Sequence, residues 1–247
     1  MIRQLVKSRR KRVLVDISTQ QDLFLARGKA CIRNHRRVLT NLRRMLAWAR
    51  HNNIPVISTC QVYPNNNGGS AIDYCLDGTE GQRKIHYTLL QRRISFPADG
   101  HDDLPHNILK DYDQVILHKR CTDPFDEPRI ERLLTELRAG EFILVGANAE
   151  DAVLATALGL LQRNKKVTVV IDAVGSRDSK AGALAMRKMQ AKGAHIIEAK
   201  RIAGISHLRR VGICNCDLCR NFAKRTLDGV DRDPFYGHVQ NTESSHN

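Results

Sequence analysis

Long apolar runs are missing from this 247-residue chain. None reaches the roughly 18 residues that a membrane-crossing helix needs, which excludes a membrane span. The opening MIRQLVKSRRKR is charged but has no apolar stretch behind it long enough for a leader peptide. Aromatic residues are only 5% of the chain, too few to suggest base-stacking platforms. No GxGxxG or Walker sequence is present, so a nucleotide cofactor is not indicated. Nucleic-acid-binding signatures of the RNP, zinc-finger and helix-turn-helix kinds are absent too. Cysteine numbers seven, an odd count, scattered except for three near the end. That pattern argues against a secreted disulfide framework and fits a reducing compartment. A soluble, cytoplasmic protein is the expectation.

What is there is core and local charge. Hydrophobic residues make up 42% of the chain, enough for one large domain with extensions. The net charge of +14 is concentrated. Residues 1–50 hold 14 Lys and Arg against only Asp16 and Asp22, whereas the other 197 residues are nearly neutral. Such a patch attracts polyanions: nucleic acid, an acidic protein surface or anionic lipid; the alternative is a solvated basic face that aids solubility.

Continuous apolar strands alternate with helical periodicity along the chain. Strands are expected at Arg12–Ile17, Pro55–Thr59, Val115–Leu117, Phe142–Gly146, Lys166–Val174 and His195–Glu198. Residues 34–52 place Val38, Leu39, Leu42, Met45, Leu46 and Ala49 on one helical stripe, with arginines on the other faces. Further helices are expected over Glu127–Leu137, Glu150–Leu161 and Ser179–Lys192, the last with a Ser cap. Residues 61–112 read as a long irregular segment of the kind that forms a lid. The implied fold is a three-layer α/β/α, Rossmann-like domain with a central six-stranded, mostly parallel sheet. It divides into a basic arm (1–11), the domain (12–203) and a Cys-containing, partly disordered extension (204–247). In such sheets the site lies beyond the carboxyl ends of the strands, where Asp16, Lys119 and Gly146 would deliver an acid, a cation and a glycine turn. The bland alternative is that Asp16 and Lys119 form a structural pair.

Four segments carry a resemblance. VLVDISTQQDLF (13–24), CLDGTEG (75–81), VILHKRCTDPF (115–125) and VGANAEDAVLATALGLLQRNKKVTVVIDAVGSRD (145–178) are similar to the motifs of the isochorismatase-like cysteine hydrolases and their nicotinamidase relatives. The similarity covers about residues 12–203. It implies that Asp16 stands at the family's general base, Lys119 at its lysine, and Ala147–Asn148 at a cis-peptide turn that forms an oxyanion hole. It places Ala152 at the nucleophilic cysteine. Covalent catalysis needs a thiolate, which alanine cannot supply. Glu150 and Asp151 beside it would disfavour a thiolate as well. Cys60 and Cys121 are candidate displaced nucleophiles, with buried structural cysteines as the alternative, and Asp16 or Asp151 could activate water. After the second strand, Thr59-Cys60-Gln61-Val62-Tyr63 lacks the carboxylate and imidazole of the nicotinamidase metal site, so no cofactor is expected at the hydrolase-like site. Relatives of this kind form homo-oligomers, which is the expectation here. The small molecule bound is not specified by any residue.

The tail holds Cys214, Cys216 and Cys219. With His207 or His238 these could complete the four ligands of a zinc ion; the alternative is free thiols. Three functions follow: a non-catalytic small-molecule or partner-binding member of the family, a hydrolase of amide, carbamoyl or vinyl-ether substrates, or a nucleic-acid-associated protein.

Overall fold

The computed structural model describes residues 12–65, 72–101 and 103–204. The basic arm, Cys214, Cys216, Cys219 and both candidate histidine ligands of the tail lie outside the described residues. Seven strands form one sheet: β1 (Val13–Ile17), β2 (Val56–Gln61), β3 (Arg93–Phe96), β4 (Gln114–Lys119), β5 (Phe142–Ala147), β6 (Val167–Gly175) and β7 (His195–Ile197). Their order is β3-β4-β2-β1-β5-β6-β7, and every pairing is parallel.

The expected count of six strands is therefore one short. The extra strand, β3, lies inside the segment read as irregular. Its exposed and half-buried residues alternate, because it is an edge strand with one neighbour and carries no continuous apolar run.

Helices cover both faces. On one side lie α1 (Gln21–Phe24), α2 (His35–His51) and α7 (Ala199–Ala203); Leu14, Val56, Ile143, Val145 and Val170 project into that layer. On the other lie α3 (Ile108–Asp111), α4 (Pro128–Glu136), α5 (Leu154–Gln162) and α6 (Ser179–Ala191). There Val13, Val15, Ile17, Ile57, Leu117, Leu144 and Val169 meet Ile130, Leu133, Leu160 and Met189. The apolar stripe predicted for α2 is the buried one: Val38, Leu42, Met45, Leu46 and Ala49 are all inside. Asn53, in the left-handed region at φ 51°, takes the chain out of that helix towards β2.

The cap of α6 differs from expectation. Asp178, not Ser179, is the N-cap, and its carboxylate accepts from the N–H groups of Lys180 (2.7 Å) and Ala181 (2.9 Å).

Candidate functional site

Strand alternation decides what Asp16 can touch. Val15 and Ile17 face the α4/α5 layer, so Asp16 between them faces the α2 layer with Leu14. It is fully buried there. Its Oδ2 accepts from Lys84 Nζ at 2.6 Å and from Ser58 Oγ at 2.9 Å. Lys84 also donates to Thr19 Oγ1 at 2.6 Å, and Ser58 accepts from Gln114 Nε2 at 2.8 Å. Asp16 Oδ1 is buried without a hydrogen-bond partner.

Lys119 stands apart. It follows Val115 and Leu117 in the strand alternation, so it lies on the α4/α5 face, where Ala152 also packs. Its Nζ donates to Gln61 Oε1 (2.6 Å), the Cys121 carbonyl (2.5 Å) and the Thr122 carbonyl (2.9 Å). All three acceptors are neutral. Burial lowers its pKa to about 8, against weaker opposing pulls from Cys121, Asp123, Cys60 and Asp126. Asp16 is thus ion-paired with Lys84, not with Lys119.

Ala152 sits in the turn between β5 and α5, and it is buried. The chain enters this turn through Gly146, whose φ is +117° and whose place a Cβ could not share, since it would lie 1.9 Å from the Ile17 carbonyl oxygen. The Ala147–Asn148 peptide is cis. The Asn148 carbonyl accepts from the N–H groups of Asp151 and Val153, and Thr156 Oγ1 donates to the Ala152 carbonyl. Both acids beside Ala152 hold the neighbouring turn. Glu150 Oε1 accepts from the N–H groups of Arg177 and Asp178, while Asp151 Oδ2 meets Asn148 Nδ2 and Arg177 Nη2.

Cys60 is buried on the same strand face as Ser58. Burial pushes its thiol pKa up to about 11; Lys84 and Lys119 pull down and Asp16 pushes up. It is a protonated thiol at neutral pH, and so a weak nucleophile. Burial raises the Cys121 thiol as well.

Spacing pointed to Asp16 and Lys119 but missed Lys84, Ser58 and Gln61. Ser58 had a signal, a hydroxyl inside the apolar strand PVIST. Lys84 had none, because it arrives from the irregular segment after Gly81. Also missed was an aromatic rim. The Tyr63 and Tyr74 rings meet edge to face at 5.4 Å, and the Arg177 guanidinium lies 5.3 Å from the Tyr74 centroid.

A parallel sheet with a glycine turn, a cis peptide and a buried lysine at its carboxyl edge defines the class as an α/β protein of hydrolase architecture. The isochorismatase domain matches residues 12–201. The chain belongs to the isochorismatase family. Among curated proteins none matches it significantly.

Solved structures share its fold. A pyrazinamidase of Pyrococcus horikoshii in complex with zinc is 19% identical, covering 76% of this chain and 99% of its own, with a TM-score of 0.60. An N-carbamoylsarcosine amidase from Thermoplasma acidophilum is 19% identical, with coverages of 76% and 96% and a TM-score of 0.56. A ribonuclease from Caenorhabditis elegans is 22% identical, with coverages of 92% and 95% and a TM-score of 0.51.

The side chains at the exit of β2 do not make a zinc site. The exit of β2 offers Cys60, Gln61 and Tyr63, with the Gln61 amide already held between Lys119 and the Arg120 carbonyl. Among the described residues no group of three His, Cys, Asp or Glu is placed to hold a metal, and no helix is long and apolar enough to cross a membrane.

Proposed function

We propose that this chain is a non-catalytic member of the isochorismatase family that acts by binding a small molecule or a partner rather than by turnover. The carrying observation is the state of Asp16. Its carboxylate is neutralised by Lys84 on one face of the sheet, while Ala152 and Lys119 lie on the other. No thiol stands at Ala152, and Cys60 is held protonated by burial. The cis turn, Lys119 and the Tyr63–Tyr74 rim remain as polar and aromatic features of the edge.

The test is hydrolysis of nicotinamide, pyrazinamide, N-carbamoylsarcosine and isochorismate by wild type and by Lys119→Gln, with melting curves to establish that both are folded. No turnover by either is expected. Turnover by wild type that Lys119→Gln abolishes would replace this reading with a hydrolase using Cys60, Cys121 or activated water.

A second reading, association with nucleic acid, is favoured by the charge distribution: an excess of 12 positive charges within residues 1–50 of a chain otherwise nearly neutral. The fold is also that of a protein described as a ribonuclease. Self-association is part of the proposal. Ile171 and Leu184 are the exposed large apolar side chains among the described residues. Light scattering that finds only monomer would remove that part.

A further inference from the structure

The amino ends of the strands carry a feature that the hydrolase-like edge does not use. A groove of about 560 Å³ lies where β2, β3 and β4 begin, at the opposite end of the sheet from Lys119 and Ala152. Arg50 from the last turn of α2, Arg92 and Arg93 at the start of β3, and Lys110 of α3 line it, against one carboxylate, Asp113.

Arg92 and Arg93 are anchored to the backbone around them. Arg92 Nη2 donates to the carbonyls of Lys110 and Asp111, with Nη1 3.9 Å from Asp113; Arg93 Nη1 donates to the Leu90 carbonyl. Lys110, Arg92 and Arg93 are exposed. The remaining wall is mixed, with Ile54, Leu89 and Leu109 beside the polar Asn53, His86 and Gln91.

The groove is not isolated. Arg36, exposed, and Arg43 and Arg50, half-buried, recur every seven residues on α2, so they form one stripe. At 1.5 Å per residue they are about 10 Å apart and the stripe spans about 21 Å. It runs from the end of the molecule where Asn34 meets the close of β6 down to the groove.

We propose that this groove and stripe bind the phosphates of single-stranded nucleic acid. The inference rests on the nucleic-acid reading and places the contact on the folded body rather than on the basic arm alone. A line of cations about 20 Å long matches a chain of phosphates, where a mononucleotide would reach the groove only. Planar guanidinium forks suit phosphate oxygens, and three of the four groove cations are arginine. A groove of this size, whose wall mixes Ile54 and Leu89 with Asn53, His86 and Gln91, accepts a sugar and base between phosphates, which a string of acidic side chains would leave unfilled. A duplex is too wide a cylinder to enter a groove of this volume.

The experiment is fluorescence anisotropy of a labelled 20-nucleotide single-stranded RNA with the full chain between 50 and 300 mM salt. Wild type is compared with Arg93→Gln/Lys110→Gln and with a variant lacking residues 1–11. Single-strand binding loses about 0.7 in the slope of log affinity against log salt per phosphate contact. The double variant is expected to lose on the order of tenfold in affinity at low salt and about 1.4 in slope. Lys110→Gln alone, expected to lose about half that slope, serves if the double variant does not fold.

No binding by wild type overturns the nucleic-acid reading and this inference with it. Binding by wild type that the groove variants leave unchanged, and that removal of residues 1–11 abolishes, overturns the groove and leaves the broader reading standing. Displacement of the RNA by polyglutamate at equal charge concentration overturns the assignment to nucleic acid.

Discussion

The sequence offers Asp16 as a functional acid, and the fold buries it in an ion pair with Lys84. A fully buried carboxylate needs a counter-charge, and Lys84 provides it with help from Ser58 and Thr19. Replacing one member leaves the other charge buried alone, at a cost of about 3–5 kcal/mol. Lys84→Met is therefore expected to lower unfolding free energy by that amount in urea titration. Asp16→Asn/Lys84→Met, which removes both charges, is expected to lose clearly less; equal losses would show that the pair is not coupled.

Ala152 gives a second prediction at this scale. Ala152→Cys introduces a sulfur but not a base, since Asp16 is on the other sheet face. The variant is expected to show no amide hydrolysis and no covalent adduct by intact mass.

Lys119 gives a third. Its folded pKa of about 8 lies below the ordinary lysine value of 10.5, so the unfolded chain holds the proton more tightly. Stability from this residue is then lowest below pH 8 and rises with pH up to about 10.5, by roughly 3 kcal/mol. Cys60 acts oppositely above its ordinary pKa, so the measurement is the difference between wild type and Lys119→Met. A difference that does not change over this range would mean that Lys119 is not desolvated.

At the scale of elements, the turn between β5 and α5 is fixed by backbone rather than by side chains. Gly146 is the one residue that can pass the Ile17 carbonyl at its φ. Gly146→Ala combines a left-handed φ with a backbone clash and is expected to destabilise by about 2–4 kcal/mol in chemical denaturation. A near-neutral effect would place the backbone elsewhere. At the start of α6, two backbone N–H groups hold the Asp178 carboxyl below its ordinary range. Its contribution is present above the unfolded carboxyl pKa and fades as pH falls through the lowered one. Asp178→Ala is expected to reduce the melting temperature at neutral pH and to lose that effect in strong acid. The elements with continuous apolar strands, β1, β2, β5 and β6, were readable. The edge strand β3 was not, because one-sided pairing relaxes the apolar pattern.

At the scale of the whole molecule, charge and chemistry separate. The carboxyl edge of the sheet holds the cis turn and the buried Lys119, and the amino edge holds a basic groove. Variants in the groove are therefore expected to leave melting behaviour and ligand response at the Lys119 edge unchanged while altering affinity for polyanions. Thermal shift with both classes of ligand measures that independence.

The sequence by itself determined the class of this protein. Apolar runs separated by amphipathic helices require a parallel sheet covered on both sides, and the motifs from Gly146 to Asp178 carry the family. It also determined that no thiol stands at Ala152, since a residue's identity needs no folding to be read. Tertiary structure alone decided which charges meet. Asp16 and Lys84 are 68 positions apart and come together because strand alternation turns Asp16 towards the face over which the segment after Gly81 passes. The same alternation turns Lys119 the other way. The groove is likewise a product of folding, because Arg50, Arg93 and Lys110 come from three separated segments and share a surface only once β2, β3 and β4 are in register.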